Sequence, residues 1–362
     1  MKSNRYNAVL SKIKLLLLLC VVMKSVAVQA QSKPDKEVNL DKIPPRIIRA
    51  CCAFGYDLKL WAVPFVNIDQ VISVADLDEH HYMGKKSEGV GTIYTKRGGF
   101  IDIGHLRDQI DWTRFLYTTI LETRGKGKVT IRLRKEAGRK TLYLNVPTEL
   151  SDSDCISLAG KIAYDFSLWH EISTWFGAST IPFVPEKFSS FSVEDVYSNL
   201  LGIHIGMKTL HSKLPFNKVA TQLLASSLDS LGIVKTAKET YDAYDAVHNL
   251  WYTNEKRIPR IQVALKRDLD VLSVSRPWLV PNQQDTSNEP VVLEVPLLNS
   301  KDEKLTDFYE FTIDLNGKFP IEELFPGYKS KRINQDDFSV LMNRISEDLK
   351  HLEQHIKEEN EK

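Results

Sequence analysis

The sequence predicts an α+β protein with a helix-rich centre, and three observations carry that prediction. Between Ser153 and Tyr252 apolar residues recur at three- and four-residue spacing through several consecutive stretches. Before that block, "KVTIRLRKEAGRKTLYLNV" alternates apolar and polar residues, and after it "VVLEVPLLN" and "FYEFTIDL" read as strands. Helical spacing marks a helix with a buried face, whereas alternation marks a half-buried strand. With 43% hydrophobic and 26% charged residues in 362, the chain has the material for a substantial core.

Taken in order, the chain opens with a basic segment, Lys2 to Lys14, and an apolar run, Leu15 to Met23. That run falls short of the ~20 residues that span a bilayer, and Val28-Gln29-Ala30 suits a signal peptidase. Residues 1–30 are therefore expected to be a removable export signal, leaving an exported, periplasmic or envelope-associated chain with no transmembrane helix. Lipid attachment at Cys20 is disfavoured by the bulky Leu19 before it. Residues 31–43 read as a flexible leader, and the main domain is expected over 44–275.

Within that domain, "GVGTIYTKRGGFIDIGHLRD" reads as two short extended segments around Gly98-Gly99 that run into a helix from His105 to Glu122. Leu106, Ile110, Thr113, Tyr117 and Ile120 would make its buried face, and His105 would stand where strand hands over to helix. Val129, Ile131 and Leu133 alternate, as do Leu142, Leu144 and Val146 beyond Gly138, which predicts a β-hairpin. The helix that follows would bury Ile156, Ala159, Ile162, Ala163, Phe166, His170 and Ser173 on one stripe. The next is expected to start at Ser192, with Asp195 completing a capping box. "NKVATQLLASSLDSLGI" and "KETYDAYDAVHNLWYTNEK" supply further helices. Residues 276–290, rich in Pro, Asn and Gln, read as a linker or long loop. Residues 291–362 are expected to form strands and an exposed, charged helix from Asn334, packed on the main domain.

The 48 basic and 47 acidic side chains nearly cancel, and no phosphate loop or metal-finger spacing is present, so no nucleic-acid partner is expected. Cys51, Cys52 and Cys155 remain after cleavage of the signal, an odd number that leaves at least one free thiol.

The stretch "AYDFSLWHEISTWFG" places His170 on the apolar face of its helix and Glu171 on a more polar stripe with Ser167 and Thr174. A zinc-peptidase helix needs a second histidine four residues after the first, and Thr174 stands there instead. Any metal must take its other ligands from elsewhere, and His105, Asp108, Glu194 and His204 are the candidates. The plainer reading makes His170 and His204 satisfied core histidines and His105 and Asp108 helix-start residues.

The leading functional expectation is an envelope hydrolase whose pocket gathers His105, Asp108, His170 and Glu171, with Glu194, Ser198, Asn199, Trp175 and His204 around them. In its metal-dependent form His105 and His170 bind a divalent ion such as zinc and Glu171 is the base on bound water. In its metal-free form the same His and Glu make an acid/base pair. The alternative is a non-catalytic envelope protein that binds a glycan, lipid or protein partner along aromatic residues such as Trp112, Trp169, Trp175 and Trp251. A third reading, a papain-like thiol hydrolase, pairs Cys52 or Cys51 with His105.

The phrases "RACCAFGYDL", "GGFIDIGHLRDQIDWT", "IAYDFSLWHEISTWFG" and "FSSFSVEDVYSNLLGIHIG", in that order, resemble a bacterial family of exported proteins recorded as a domain of unknown function, DUF4056. The resemblance runs from Pro44 to the C-terminal "INQDDFSVLMNRI" and implies no activity or catalytic residue. It does pick out the segments that define this type of protein, and these are dense in His, Asp, Glu, Ser, Asn and Trp.

Overall fold

The structure, a computed structural model, describes residues 54–56, 58–60, 63–68, 70–178, 186–253, 263–281, 289–317, 319, 321–327 and 330–360. The expected export signal, the leader, Cys20, Cys51 and Cys52 lie outside the described residues.

Small residues set the central contact. Helices α1 (Ile103–Thr123), α2 (Asp152–Trp175) and α3 (Asp195–Leu210) pack together, and α1 meets α3 at two glycines. A Cβ on Gly202 would stand 2.2 Å from the Leu106 carbonyl oxygen, and one on Gly206 would stand 2.9 Å from the Thr113 Cβ. Gly160 of α2 likewise lies against the Met207 sulfur of α3. The backbones can approach this closely only where no side chain intervenes. That approach sets the N-terminal turns of α1 and α3 side by side.

The strands surround this centre. β1 (Leu58–Leu60) pairs with β2 (Val63–Ile68), and β3 (Thr92–Thr95) pairs with β4 (Gly99–Asp102) in the hairpin that feeds α1. β5 (Val129–Arg132) and β6 (Gly138–Leu144) place Val129 opposite Leu144 and Ile131 opposite Leu142, the pairing their alternation calls for. Gly138 opens β6 rather than making the turn, and the left-handed position falls on Ala137, at φ 54°. Two short pairs follow, β7 (Tyr252–Thr253) with β8 (Val263–Ala264) and β9 (Val274–Ser275) with β10 (Leu293–Glu294). β11 (Tyr309–Leu315) then pairs with β6 along all seven residues, and β12 (Arg332–Asn334) completes a sheet in the order β12-β11-β6-β5. Helices α4 (Phe216–Ser230), α5 (Ala237–Val247), α6 (Ile321–Leu324) and α7 (Phe338–Asn360) complete an α+β fold.

Two apolar clusters share α1 and α3. Trp112, Phe115 and Leu116 of α1 join the cluster with the four-stranded sheet, α2 and α7, while Ile103, Leu106 and Ile110 join the one with β3, β4, α4 and α5. Because α1 is packed on both sides, Arg107, Asp108, Gln109 and Asp111 are buried along with Leu106, Ile110, Thr113 and Ile120 of the expected face, while Tyr117 is half-buried. α7 is not the exposed helix its charge suggests, since Phe338, Leu341, Met342 and Ile345 enter the first cluster. Part of the expected linker is also packed, with Val280 buried and its N–H donated to the Tyr94 hydroxyl at 3.2 Å. Among the described residues no helix is long and apolar enough to cross a membrane.

Candidate metal centre

The site begins at the junction of β4 and α1. Asp102 ends the strand and caps the helix, its Oδ1 accepting the His105 backbone N–H at 2.9 Å. The cap turns the His105 ring back over Asp102, so that Nδ1 lies 3.2 Å from Asp102 Oδ2 and 3.5 Å from Asp195 Oδ1. Asp102 is fixed in turn by its own N–H, which donates to Ser198 Oγ of α3 at 2.9 Å.

Asp195 is the first residue of α3. Its Oδ2 accepts from the Ser192 N–H at 3.1 Å and the Ser192 hydroxyl at 2.8 Å, which leaves Oδ1 toward His105. The expected capping box at Ser192 is thus displaced. Ser192 and Asp195 close a separate turn, and Glu194 takes the cap position of the helix.

Glu171 comes from the last turns of α2, where the loop before α3 holds it. Its Oε2 accepts the Phe191 N–H at 2.9 Å, and its carbonyl accepts the Ser190 hydroxyl at 2.7 Å. Phe191 is buried in a left-handed conformation, φ 56°, which a bulky residue adopts only when its surroundings force it. Those surroundings include Asp268, whose N–H donates to the Phe191 carbonyl at 3.0 Å, and Arg267, which donates to the carbonyls of Ser190 and Phe188. The Arg267 guanidinium lies 5.1 Å over the Trp175 ring. Backbone strain is therefore held where it presents a carboxylate.

His105, Glu171 and Asp195 each offer a ligand atom, and the three atoms lie within 4.8 Å of one another. Donor atoms on one tetrahedral zinc ion stand ~3.4 Å apart, so the set would close on an ion by drawing in by up to roughly an ångström. The donors, one imidazole and two carboxylates, suit zinc or manganese.

The electrostatics point the same way. Asp102, Glu171, Glu194 and Asp195 are all buried, and the basic groups beside them are His105 and Arg267. Among the described residues, with both of those charged, the four carboxylates leave two negative charges uncompensated. Burial first, and then Asp195, push the Glu194 carboxyl well above the usual range. Burial and Glu171 push Asp195 up to about 8, with His105 working in the opposite direction. Burial disfavours the His105 cation, yet Asp102, Asp195 and Glu171 outweigh it and raise the ring to about 10. Burial and mutual repulsion thus favour protons on Glu194 and Asp195 in the ion-free centre, where a divalent cation would supply the same charge. Glu194 Oε1 accepts from the Ser192 hydroxyl at 3.0 Å, while its Oε2 and the Asn199 Oδ1 are buried with no hydrogen-bond partner among the described residues.

His170, expected to share an ion with His105, is not one of the three residues whose ligand atoms converge. His170 Nδ1 lies 2.6 Å from Glu136 Oε1 in the turn between β5 and β6, and the other Glu136 oxygen takes Lys140 Nζ at 2.6 Å. Neighbouring helix positions point ~100° apart, so α2 sends Glu171 toward α1 and α3 and His170 toward the hairpin. Asp108 is buried on α1 but is not one of the three ligand residues. Ser198 acts as an acceptor for the strand end, and Trp175 carries Arg267 and donates from Nε1 to Asp348 at 3.4 Å. His204, nine residues and so ~13 Å along α3 from Asp195, pairs Nε2 with the Glu294 carbonyl at 2.8 Å, and burial lowers its pKa. Asp102, Arg267 and Glu136 escape the sequence reading. Only Asp102 leaves a local signal, a capping residue three positions before His105.

Among known families, one described as a protein of unknown function (DUF4056) matches residues 40–281, a span that contains every residue of the centre. No curated protein and no solved structure matches the chain.

Proposed function

The chain belongs to the DUF4056 family of proteins of unknown function, and we propose that it is an exported hydrolase that binds one divalent metal ion through His105, Glu171 and Asp195. The observation that carries this reading is the convergence of three ligand atoms from three helices within 4.8 Å, in a buried centre where, among the described residues, carboxylates outnumber cations. When bound, the ion supplies a Lewis acid and lowers the pKa of a coordinated water.

The chain's own residues divide the rest of the work. Glu171 and Asp195 bind the ion, each with its second oxygen already held by the Phe191 N–H or by Ser192. That departs from the sequence expectation, which gave Glu171 the role of base. The role passes to Glu194, whose Oε2 has no hydrogen-bond partner among the described residues; with a bound cation supplying the charge that otherwise favours a proton there, its carboxylate can accept one from water. Arg267 fixes the loop that presents Glu171. A metal-free acid/base reading is weaker, because its neighbours keep His105 protonated at neutral pH and a protonated ring cannot act as a base. An export signal over residues 1–30, as the sequence suggests, would put this chemistry at the cell envelope.

The test is elemental analysis of purified protein, reconstituted separately with zinc and manganese, beside hydrolysis of p-nitrophenyl acetate and bis-p-nitrophenyl phosphate. One equivalent of metal is expected in the wild type and in His170→Ala, and none in His105→Ala or Asp195→Asn. Glu194→Gln should keep the metal and lose most turnover, on the order of 100-fold. A wild type that retains no metal overturns the reading, and metal without turnover of any ester removes the hydrolase from it.

A further inference from the structure

Charge is segregated around the centre. Its carboxylates are buried between the helices, whereas one turn out along α2 the side chains that gather are cations. Glu171 and Trp175 are four residues apart and so share a face of α2, with Trp175 at its C-terminal end. The Lys187 ammonium stands 4.9 Å over the Trp175 ring, and the Arg267 guanidinium stands 5.1 Å over the same ring. An aromatic face attracts a cation through its quadrupole, so one indole steers two cations to one place despite their mutual repulsion.

Arg267 joins this pair to the centre. It donates to the carbonyls of Lys187, Phe188 and Ser190, and the Ser190 hydroxyl donates to the Glu171 carbonyl at 2.7 Å. Burial lowers the guanidinium to about 10 while Asp195 and Glu171 act to raise it, so it lies within electrostatic reach of both carboxylates. Its two Nη atoms are directed to backbone carbonyls, but its Nε is buried with no hydrogen-bond partner among the described residues. Asp348, at the edge of the indole, accepts from Trp175 Nε1 at 3.4 Å and is already paired with Arg344 at 2.8 Å. Lys187 itself is exposed, so the pair of cations opens to solvent.

We propose that Lys187 and Arg267, held on Trp175, form an oxyanion-binding subsite beside the metal centre, so that the ester hydrolysed there carries a phosphate or carboxylate group. This deepens the hydrolase reading above and rests on it. A guanidinium and an ammonium bind such a group by charge-assisted hydrogen bonds, Arg267 through its Nε–H and Lys187 as a point charge at the rim.

Because Lys187 is exposed, replacing it leaves the fold intact. Full-length zinc-loaded protein, dialysed free of excess ion, is titrated in a calorimeter with inorganic phosphate and, separately, with acetate, for the wild type, Lys187→Met, Lys187→Arg and Arg267→Lys. The wild type should bind at least one of the two, and the tighter one identifies the group. Lys187→Met should weaken that binding about threefold to fivefold, as loss of one exposed ion pair does, and Lys187→Arg should restore it with zinc content unchanged. Arg267→Lys keeps the charge but loses the planar fork, and should weaken it at least as much. Kinetics give a readout that a merely structural role would not move. Lys187→Met should lower kcat/KM for the anionic bis-p-nitrophenyl phosphate by the same factor and leave that for the neutral p-nitrophenyl acetate unchanged. A zinc-loaded wild type that binds neither anion, or an affinity within twofold of the wild type in Lys187→Met or Arg267→Lys, overturns the subsite. A wild type that takes up no zinc overturns the parent reading instead, so the two failures are distinguishable.

Discussion

At the scale of single residues, the centre and its supporting loop show how far burial alone can move a carboxyl group. Asp268, whose N–H supports the Phe191 carbonyl, is buried, and its Oδ2 has no hydrogen-bond partner among the described residues. Burial raises it from 3.8 to about 7. A carboxyl whose pKa is raised on folding contributes full stability below its unfolded pKa, and that contribution is lost as pH climbs toward the folded value. Between pH 4 and 7 the native state therefore holds a proton that the unfolded chain has released. The accumulated cost is on the order of 4 kcal/mol above pH 7, at ~1.4 kcal/mol per pH unit. Asp268→Asn removes that cost but adds an amide N–H without a partner, worth ~1–3 kcal/mol. The variant is expected to match or trail the wild type in urea denaturation at pH 5 and to exceed it by about 1–3 kcal/mol at pH 8. An equal difference at both pH values would show that Asp268 does not titrate in this window. Sequence reading had no access to this group, because nothing local marks a carboxyl in a loop as buried. His105 was accessible, since a strand pattern passing into a helix pattern fixes where it stands.

At the scale of elements, the β5–β6 hairpin was legible because alternation survives any arrangement that buries one face of a sheet. Helix α2 was legible as a helix but not as a set of faces. Its sequence suggests one apolar stripe containing His170, with Glu171 outside it, yet the helix is packed nearly all round, leaving Glu171 3% exposed and His170 half-buried. Periodicity ranks faces only when one of them meets solvent. The contact between α1 and α3 was hidden for a different reason, since Gly202 and Gly206 mark a close approach without naming the partner helix. Gly202→Ala would place a methyl group 2.2 Å from the Leu106 carbonyl oxygen, an immovable backbone atom. The overpacking costs about 3 kcal/mol, of which the better helix propensity of Ala returns ~1. Gly317→Ala, with nothing within 4 Å of the added carbon, serves as the control and should be near neutral. Because the same helices carry His105 and Asp195, Gly202→Ala should also weaken zinc binding in calorimetry. Unchanged affinity alongside a lowered melting temperature would separate the packing of the helices from the geometry of the site.

At the scale of the whole molecule, the family match ends at residue 281, but the core does not. β11 supplies the neighbour of β6 along its full length, and Phe311, Ile313, Phe338, Leu341, Met342 and Ile345 share one apolar cluster with Leu142, Leu144, Phe166 and Trp169. Trp169 of α2 is stacked between Phe319 at 5.6 Å and Phe338 at 5.9 Å, and the Tyr309 hydroxyl donates to the buried Asp165 of the same helix. Removing everything after residue 281 would strip the cover from one side of the helix that carries Glu171 and open an edge on β6, a template for aggregation. Single losses of this kind are already severe, since truncating a buried phenylalanine costs about 3–5 kcal/mol against a total of roughly 5–15 kcal/mol for a folded domain. Phe311→Ala in the full-length chain should therefore lower the melting temperature by several degrees while leaving the zinc stoichiometry intact. A chain ending at residue 281 should lose the near-ultraviolet circular dichroism of its buried tryptophans, bind a hydrophobic dye and take up no metal. A truncated chain that melts cooperatively and binds one equivalent of zinc would show that the C-terminal segment is an accessory to the metal-binding unit rather than part of its core.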